Sequence, residues 1–242
     1  MTGVDALLDD AIAEAFAAPF ARISLLAMPD GSKVWMKREE RISGLMRLQK
    51  GNPSKAFAQE REGLHLLARL GLAAAPILAE GPDWFVTPDL GPTLRDMLRN
   101  PRPDSATAFA AGGTALARLH LASYRHGRPA IRDLCWDGSA VHFIDLERFS
   151  CVKSDPRGLA LDLIVFAHSI ISDGYKAPAN TVPSLQDAAL NAYRGLAPGI
   201  WAQACKTARW LAWVPFLTRL VPSSNEWRAA KPTLDLFRQG PE

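Results

Sequence analysis

Two short stretches of the chain decide its fold. Residues 125–133 read Arg-His-Gly-Arg-Pro-Ala-Ile-Arg-Asp, and residues 144–147 read Ile-Asp-Leu-Glu. Between them, an Asp-Gly pair separates two apolar runs, which predicts a β-hairpin with arms at 134–136 and 141–144. Such a hairpin would bring Asp133 and Asp145 close together. Because Mg²⁺ prefers oxygen ligands, the two carboxylates are predicted to hold this metal beside the phosphates of a nucleotide.

The composition excludes several classes of protein. A chain of 242 residues with 48% hydrophobic residues can bury a large core, which excludes a mainly disordered protein. The net charge of +3 and the pI near 8.9 are too weakly basic to indicate nucleic-acid binding. Cys135, Cys151 and Cys205 lack metal-ligand spacing, and we expect them to be reduced and buried. Acidic residues near the N-terminus and interrupted apolar runs predict a soluble cytoplasmic protein.

The remaining pattern predicts a small β-rich lobe followed by a larger helical lobe. In the first part, helices are predicted at 5–18 and 52–70, and strands at 21–28, 32–37, 77–78 and 84–87. After a Pro/Gly-rich connector at 88–92, helices are predicted at 93–98, 106–124, 159–171 and, largely, 186–220. We therefore predict an α+β fold, with an N-terminal antiparallel β-lobe over 1–88 and a mainly helical C-terminal lobe over 89–242.

This order of elements resembles the two-lobed protein-kinase-like fold. More narrowly, the chain resembles the bacterial lipopolysaccharide core kinases, the Kdo and heptose kinase group, which includes toluene-tolerance proteins. The resemblance covers roughly residues 20–170. It rests on Val-Trp-Met-Lys at 34–37, on Glu60 in the following helix, and on Ile-Asp-Leu-Glu-Arg at 144–148. It implies ATP and Mg²⁺ as cofactors and a sugar or glycolipid as acceptor.

The resemblance also implies roles for individual residues. Lys37 would contact the α- and β-phosphates and pair with Glu60, and the adenine would lie near the connector that includes Thr87 and Leu90. Glu60 shares a helix face with the apolar residues four and seven positions later, so its carboxylate is expected to point inward and to need a cation. Glu62 is the competing candidate, on a less apolar face.

Arg128 departs from the pattern of these kinases. An aspartate that accepts the substrate proton usually stands two residues after the histidine of this loop, and an arginine cannot do this. Asp133 therefore serves as general base, or the loop has shifted its register, or the protein binds nucleotide without ordinary transfer. Arg128 would instead clamp a phosphate. Asp133 also stands where a second metal ligand is expected, or it pairs with a neighbouring arginine.

Smaller features complete the expectations. A glycine-rich phosphate loop is missing, since residues 29–32 offer one glycine. His126 is expected to be structural, with Asp162 bracing its loop. Trp and basic residues alternate in the C-terminal segment, and core packing is favoured there over peripheral contact with the inner membrane surface. These residues are Trp201, Trp210, Trp213 and Trp227, with Lys206, Arg209, Arg219 and Arg228. The alternatives to a sugar kinase are a regulatory pseudokinase and a kinase of a protein or another small molecule.

Overall fold

A computed structural model describes residues 3–40, 53–178, 180–214 and 224–238 of the chain. The helices are α1 Gly3–Ala17, α2 Pro53–Arg69, α3 Leu94–Arg99, α4 Ser105–Leu121, α5 Pro156–Gly174, α6 Thr181–Leu196, α7 Pro198–Trp210 and α8 Asn225–Arg238. The strands are β1 Ile23–Ala27, β2 Lys33–Arg38, β3 Ala79–Gly81, β4 Trp84–Pro88, β5 Leu134–Trp136 and β6 Val141–Phe143. Short 3-10 turns cover Ile131–Asp133 and Leu211–Trp213.

The N-terminal sheet has two faces with different partners. Its strands are antiparallel in the order β1-β2-β4-β3. Val34 and Met36 point to one face, where they pack with Ile12 of α1. The opposite face carries Lys37 and its cross-strand neighbour Phe85. On that face α2 packs against β4, as predicted from the spacing of its apolar residues, with the Phe57 ring 5.3 Å from that of Phe85.

The helical part is built around α4, which packs closely against α6. A Cβ atom at Gly113 of α4 would lie 2.0 Å from the carbonyl oxygen of Ala189, so a side chain at this position would push the two helices apart. One continuous apolar core extends from α2 and β4 through α3, α4, α5, α6 and α8. The predicted architecture, a small antiparallel sheet followed by a mainly helical part, is confirmed.

The predicted hairpin is β5 and β6, with Leu134 opposite Phe143. The Asp137 carboxylate accepts hydrogen bonds of 2.7 Å from the backbone N–H groups of Ser139 and Ala140, which makes this residue part of the turn. At the open end, the Ile144 N–H donates to the Asp133 carbonyl at 2.9 Å. The residues on either side of the hairpin therefore lie next to each other.

Several expectations were wrong in detail. The third strand is Ala79–Gly81 rather than 77–78, because pairing with β4 overrides the weak strand preference of Ala, Glu and Gly. The long C-terminal helix is interrupted at Ala197, where a proline starts α7. Cys151 is exposed, although all three cysteines are free.

The predicted core packing of the C-terminal tryptophans holds only for Trp201. Trp210, Trp213 and Trp227 have relative exposures of 71, 53 and 42%. Arg219 lies outside the described residues. Among the described helices, none is long and apolar enough to span a bilayer.

Candidate functional site

Lys37 is the centre of a charged cluster between the sheet and the helical part. Its ammonium group donates a hydrogen bond to Glu60 of α2 and another, of 3.1 Å, to Glu147, and it lies 3.9 Å from Asp145. Glu60 is buried, whereas the competing candidate Glu62 is exposed. The inward orientation of Glu60 is as predicted from the helix face, and its pairing with Lys37 is the contact that the resemblance implies.

Burial and charge act in opposite directions within this cluster. Burial by itself would lower the pKa of Lys37, but the charges of Glu60, Glu147 and Asp145 outweigh it and raise the pKa above its ordinary value. Burial also raises the pKa of Glu60, against the attraction of Lys37. The ammonium group is therefore held in its charged form in a partly buried place, where it can bind an anion.

Asp145 and Glu147 follow β6, and their carboxylates meet that of Glu60. Among the described residues these three offer oxygen atoms within 4.8 Å of one another. Asp145 has a positive φ of 58°, a left-handed conformation that is uncommon for residues other than glycine. This conformation costs free energy locally, and it turns the chain sharply after β6.

Asp133, at the other edge of the hairpin, does not join this group of three. Its side chain is buried, one oxygen lies 3.5 Å from the Arg132 Nε, and the other has no hydrogen-bond partner among the described residues. Burial, reinforced by the charge of Asp145, raises the pKa of Asp133 to about 7, although nearby arginines oppose the shift. The contact with Arg132 corresponds to the ion pair considered from the sequence, but it leaves half of a buried carboxylate unsatisfied.

Arg128 lies beside Asp145, the predicted metal ligand. Its guanidinium group is 3.4 Å from the Asp145 carboxylate. A cation thus stands beside the carboxylate that the sequence assigned to Mg²⁺. The side chain is partly exposed, so it is free to exchange this partner for a phosphate.

The loop that carries Arg128 is fixed by Asp162 of α5. The Asp162 carboxylate accepts hydrogen bonds from the backbone N–H groups of His126 and Gly127 at 2.7 and 3.0 Å. Its third contact is with the buried His120 ring at 3.2 Å. His126 itself is buried, and burial lowers its pKa, which favours the neutral ring. The expected brace and the structural place of this histidine agree with these contacts.

The connector after β4 is attached to the sheet. The Asp89 N–H donates to the Lys33 carbonyl at 2.9 Å, while Thr87 and Leu90 are half-buried. The β1–β2 turn contains one glycine, Gly31 with φ 83°, and closes tightly through a hydrogen bond to Met28. It is a short turn, not an extended phosphate-cradling loop.

Sequence reasoning missed Glu147 and its second partner, Arg22. Glu147 forms hydrogen bonds with both Lys37 and Arg22, and all three line a cavity of about 230 Å³ against the start of α2. The available signal was a second carboxylate two residues after Asp145. For Arg22, which is 125 residues from Glu147 in sequence, no sequence pattern indicated the contact.

Comparisons with known proteins support the fold. No model of a known protein family matches the chain. An uncharacterised protein of Haemophilus influenzae is 31% identical over 144 residues, which is 58% of this chain and 60% of that protein. Two solved structures each have a TM-score of 0.52 and 14% identity. They are an aminoglycoside-3'-phosphotransferase of type VIII, covering 95% of this chain and 98% of its own, and a choline/ethanolamine kinase family protein from Mesorhizobium loti, covering 97% and 96%.

These similarities establish the protein-kinase-like fold that the sequence predicted. Similarity at 14% identity shows a shared fold and does not identify a substrate. Membership in the lipopolysaccharide core kinase group stays a prediction, as do the boundary at residue 88 and the roles of the site residues.

Proposed function

We propose that the protein is an ATP-dependent phosphotransferase that phosphorylates a hydroxyl group of a lipopolysaccharide-core sugar or a related glycolipid. The observation that carries the proposal is Lys37, a partly buried ammonium group held by Glu60 and 3.9 Å from Asp145 at the junction of sheet and helices. A cation fixed there is suited to binding the phosphates of a nucleotide. The choice of a sugar acceptor rests on the sequence resemblance alone.

Magnesium fits the carboxylates of this site. The second oxygen of Asp133 is buried without a partner in the described part of the chain, which is the state expected of a ligand atom. Asp145 stands at the other edge of the same hairpin, and both residues offer the oxygen atoms that Mg²⁺ prefers. In the proposal they hold the ion, whose chemistry when bound is to neutralise charge on the transferred phosphate.

The other residues position the nucleotide. Glu60 orients Lys37 toward the phosphates, and the backbone of the connector that carries Thr87 and Leu90 borders the adenine. Phosphoryl transfer has a loose transition state, so positioning and charge stabilisation supply most of the catalysis. Arg128, which is partly exposed, binds a phosphate of the nucleotide or the acceptor through its fork of N–H groups.

In the alternative in which Asp145 holds the ion without Asp133, we propose Asp133 as the group that accepts the proton of the acceptor hydroxyl, because a carboxylate bound to Mg²⁺ would lose its affinity for a proton. Without a bound metal its pKa of about 7 is near the value that is best for a general base at neutral pH. This reading keeps the observed loop register, in which Asp133 directly precedes β5. It also explains how transfer proceeds with an arginine at position 128.

A regulatory pseudokinase is the second candidate, and one contact favours it. The Arg128 guanidinium group lies 3.4 Å from Asp145 and supplies the positive charge that a metal would otherwise bring. A site completed in this way binds nucleotide weakly or without metal, and it performs no transfer.

Calorimetric titration of ATP, with and without Mg²⁺, tests the proposal. The wild type is expected to bind ATP only with Mg²⁺, and Asp145→Ala to lose that binding. Asp187→Ala, at an exposed position on α6, is the control and should bind as the wild type does. Metal-independent binding that Asp145→Ala leaves unchanged would favour the pseudokinase.

Turnover separates the two candidates further. Arg128→Asp restores the residue usual in related kinases. It should leave the rate unchanged or lower if Arg128 binds phosphate and Asp133 is the base, whereas a gain in rate would show that a base was missing. A screen of sugar, small-molecule and protein acceptors with radiolabelled ATP distinguishes the acceptor classes.

A further inference from the structure

A second cavity, of about 770 Å³, lies between the start of α5 and the second half of α7. Its walls include Arg157 and Leu161 from α5, and Lys206 and Trp210 from α7. Gln203 and Thr207 of α7 add polar side chains to the lining of the cavity. Ligand sites typically enclose roughly 300–1,000 Å³, so the cavity has the size and concavity of a small-molecule site rather than of a membrane-facing surface.

The charges along the cavity favour an anionic ligand. Arg157 and Lys206 are exposed, and neither forms an ion pair within the described ranges of the chain. The carboxylate that lines the cavity, Asp155, is already used at the start of its helix, where it accepts the Gly158 N–H at 2.7 Å. The two cations are therefore available to an incoming phosphate or carboxylate.

Trp210 adds a feature that an inorganic anion would not need. Its side chain is 71% exposed at the end of α7, next to Lys206 on the same helical face. The face of an indole ring is a flat apolar surface with a negative quadrupole. It suits the C–H face of a sugar ring, with an anionic substituent held by the neighbouring cations.

The cavity and the arginine-bearing loop lie on neighbouring surfaces of α5. Leu161 lines the cavity, while the next residue, Asp162, accepts the backbone N–H groups of the loop. One turn earlier, a Cβ atom at Gly158 would lie 3.6 Å from the guanidinium group of Arg125, where the loop begins. Consecutive helical residues lie about 100° apart around the axis, so the cavity and the loop lie on adjacent sides of α5.

From this arrangement we infer that the cavity between α5 and α7 is an acceptor subsite for an anionic sugar ring. The inference rests on the proposed transfer function, because it assigns the cavity to the acceptor. Arg157 and Lys206 bind the anionic group, and Trp210 stacks on the ring. These residues determine specificity and do not contact the reacting atoms.

Binding without nucleotide tests the subsite directly. The probes are glucose 6-phosphate, neutral glucose and inorganic phosphate, measured by titration and by saturation-transfer NMR. We expect glucose 6-phosphate to bind more tightly than either of the other two, with saturation of its ring protons. The variant with both Arg157→Gln and Lys206→Gln should weaken this binding by about tenfold or more, since two charge-assisted contacts are lost. Trp210→Ala should remove the ring-proton signal.

Arg209→Gln is the matched control, an exposed arginine of α7 outside the cavity walls, and it should bind as the wild type does. Equal binding by the double variant and this control would overturn the inference, as would equal affinity for phosphate and glucose 6-phosphate. If the double variant lost binding to anionic phosphatidylglycerol vesicles without any loss of sugar binding, the inference would be overturned in favour of a membrane surface.

ATP titration of the same variants separates the subsite from the proposed transfer function. Absent ATP binding in the wild type refutes the transfer function, whereas intact ATP binding with no sugar binding refutes only the subsite.

Discussion

Replacing Asp133 by asparagine should make the protein more stable at pH 8. The carboxyl group is buried and half unsatisfied, and its pKa is raised from 3.8 to about 7. A carboxyl group whose pKa is higher in the folded state contributes stability below its unfolded pKa. That contribution is lost as the pH rises to the folded pKa. Asparagine has nearly the same shape and no charge to desolvate.

The size of the effect follows from the same shift. Each pH unit between the two pKa values changes the free energy of unfolding by about 1.4 kcal/mol for one proton. Between pH 5 and the folded pKa this amounts to roughly 2–3 kcal/mol, and above pH 7 the difference stays constant. The stability gain of Asp133→Asn over the wild type should therefore be larger by this amount at pH 8 than at pH 5.

Urea unfolding followed by tryptophan fluorescence at pH 5, 6, 7 and 8 measures this gain. Asp137→Asn in the same hairpin is the matched control with the opposite sign. Although burial opposes it, hydrogen bonds from the Ala140 and Ser139 N–H groups and from His142 lower the pKa of Asp137. Its replacement should therefore cost a constant amount of stability across pH 5–8, because this contribution is lost only below the ordinary pKa of 3.8. A gain for Asp133→Asn that does not grow with pH would refute the assignment of a strained, buried carboxylate.

Three further substitutions test other parts of the site. Glu147→Gln removes one negative charge beside the strand lysine and should make ATP binding in EDTA detectable, where the wild type is expected to show none. The exposed Glu62→Gln should not have this effect, and calorimetry compares the two variants. Asp162→Ala leaves two loop N–H groups unpaired and should lower the free energy of unfolding by about 2–4 kcal/mol in urea titrations. Gly127→Ala should lower the thermal midpoint, because φ is 92° and a Cβ atom would lie 2.3 Å from a backbone oxygen. Gly195→Ala, in open helical surroundings, should not lower it.

The parts of the site that the sequence predicted depend on local spacing. The hairpin follows from an Asp-Gly turn between apolar runs, and the inward position of Glu60 follows from its helix face. Glu147 could not be predicted in this way. Its contact with Lys37 joins residues 110 apart and depends on the left-handed backbone at Asp145, which spacing does not reveal.

The exposed tryptophans show a second property that spacing alone cannot predict, namely whether a helix face is covered. Helical spacing indicates which side chains share a face, but it does not say whether another element covers that face. Trp201 meets Phe237 of α8 with ring centroids 5.0 Å apart and is buried. Trp210, about two and a half turns further along the same helix, meets no such partner among the described residues and lines an open cavity.

The charges of the site explain why a metal is needed if the protein binds a nucleotide. Three cations contact three carboxylates: Lys37, Arg22 and Arg128 with Glu60, Glu147 and Asp145. Positive and negative charges are therefore already matched before any ligand arrives.

A triphosphate that enters must either displace carboxylates from these cations or arrive with positive charge of its own. Displacement is costly at the buried Glu60, because an unpaired buried carboxylate is strongly disfavoured. A nucleotide that arrived with Mg²⁺ would avoid this cost, and with Asp145 holding the ion Arg128 would be available to bind phosphate. An arginine at this position is thus compatible with transfer, provided that the proton is accepted elsewhere, for which Asp133 is the candidate.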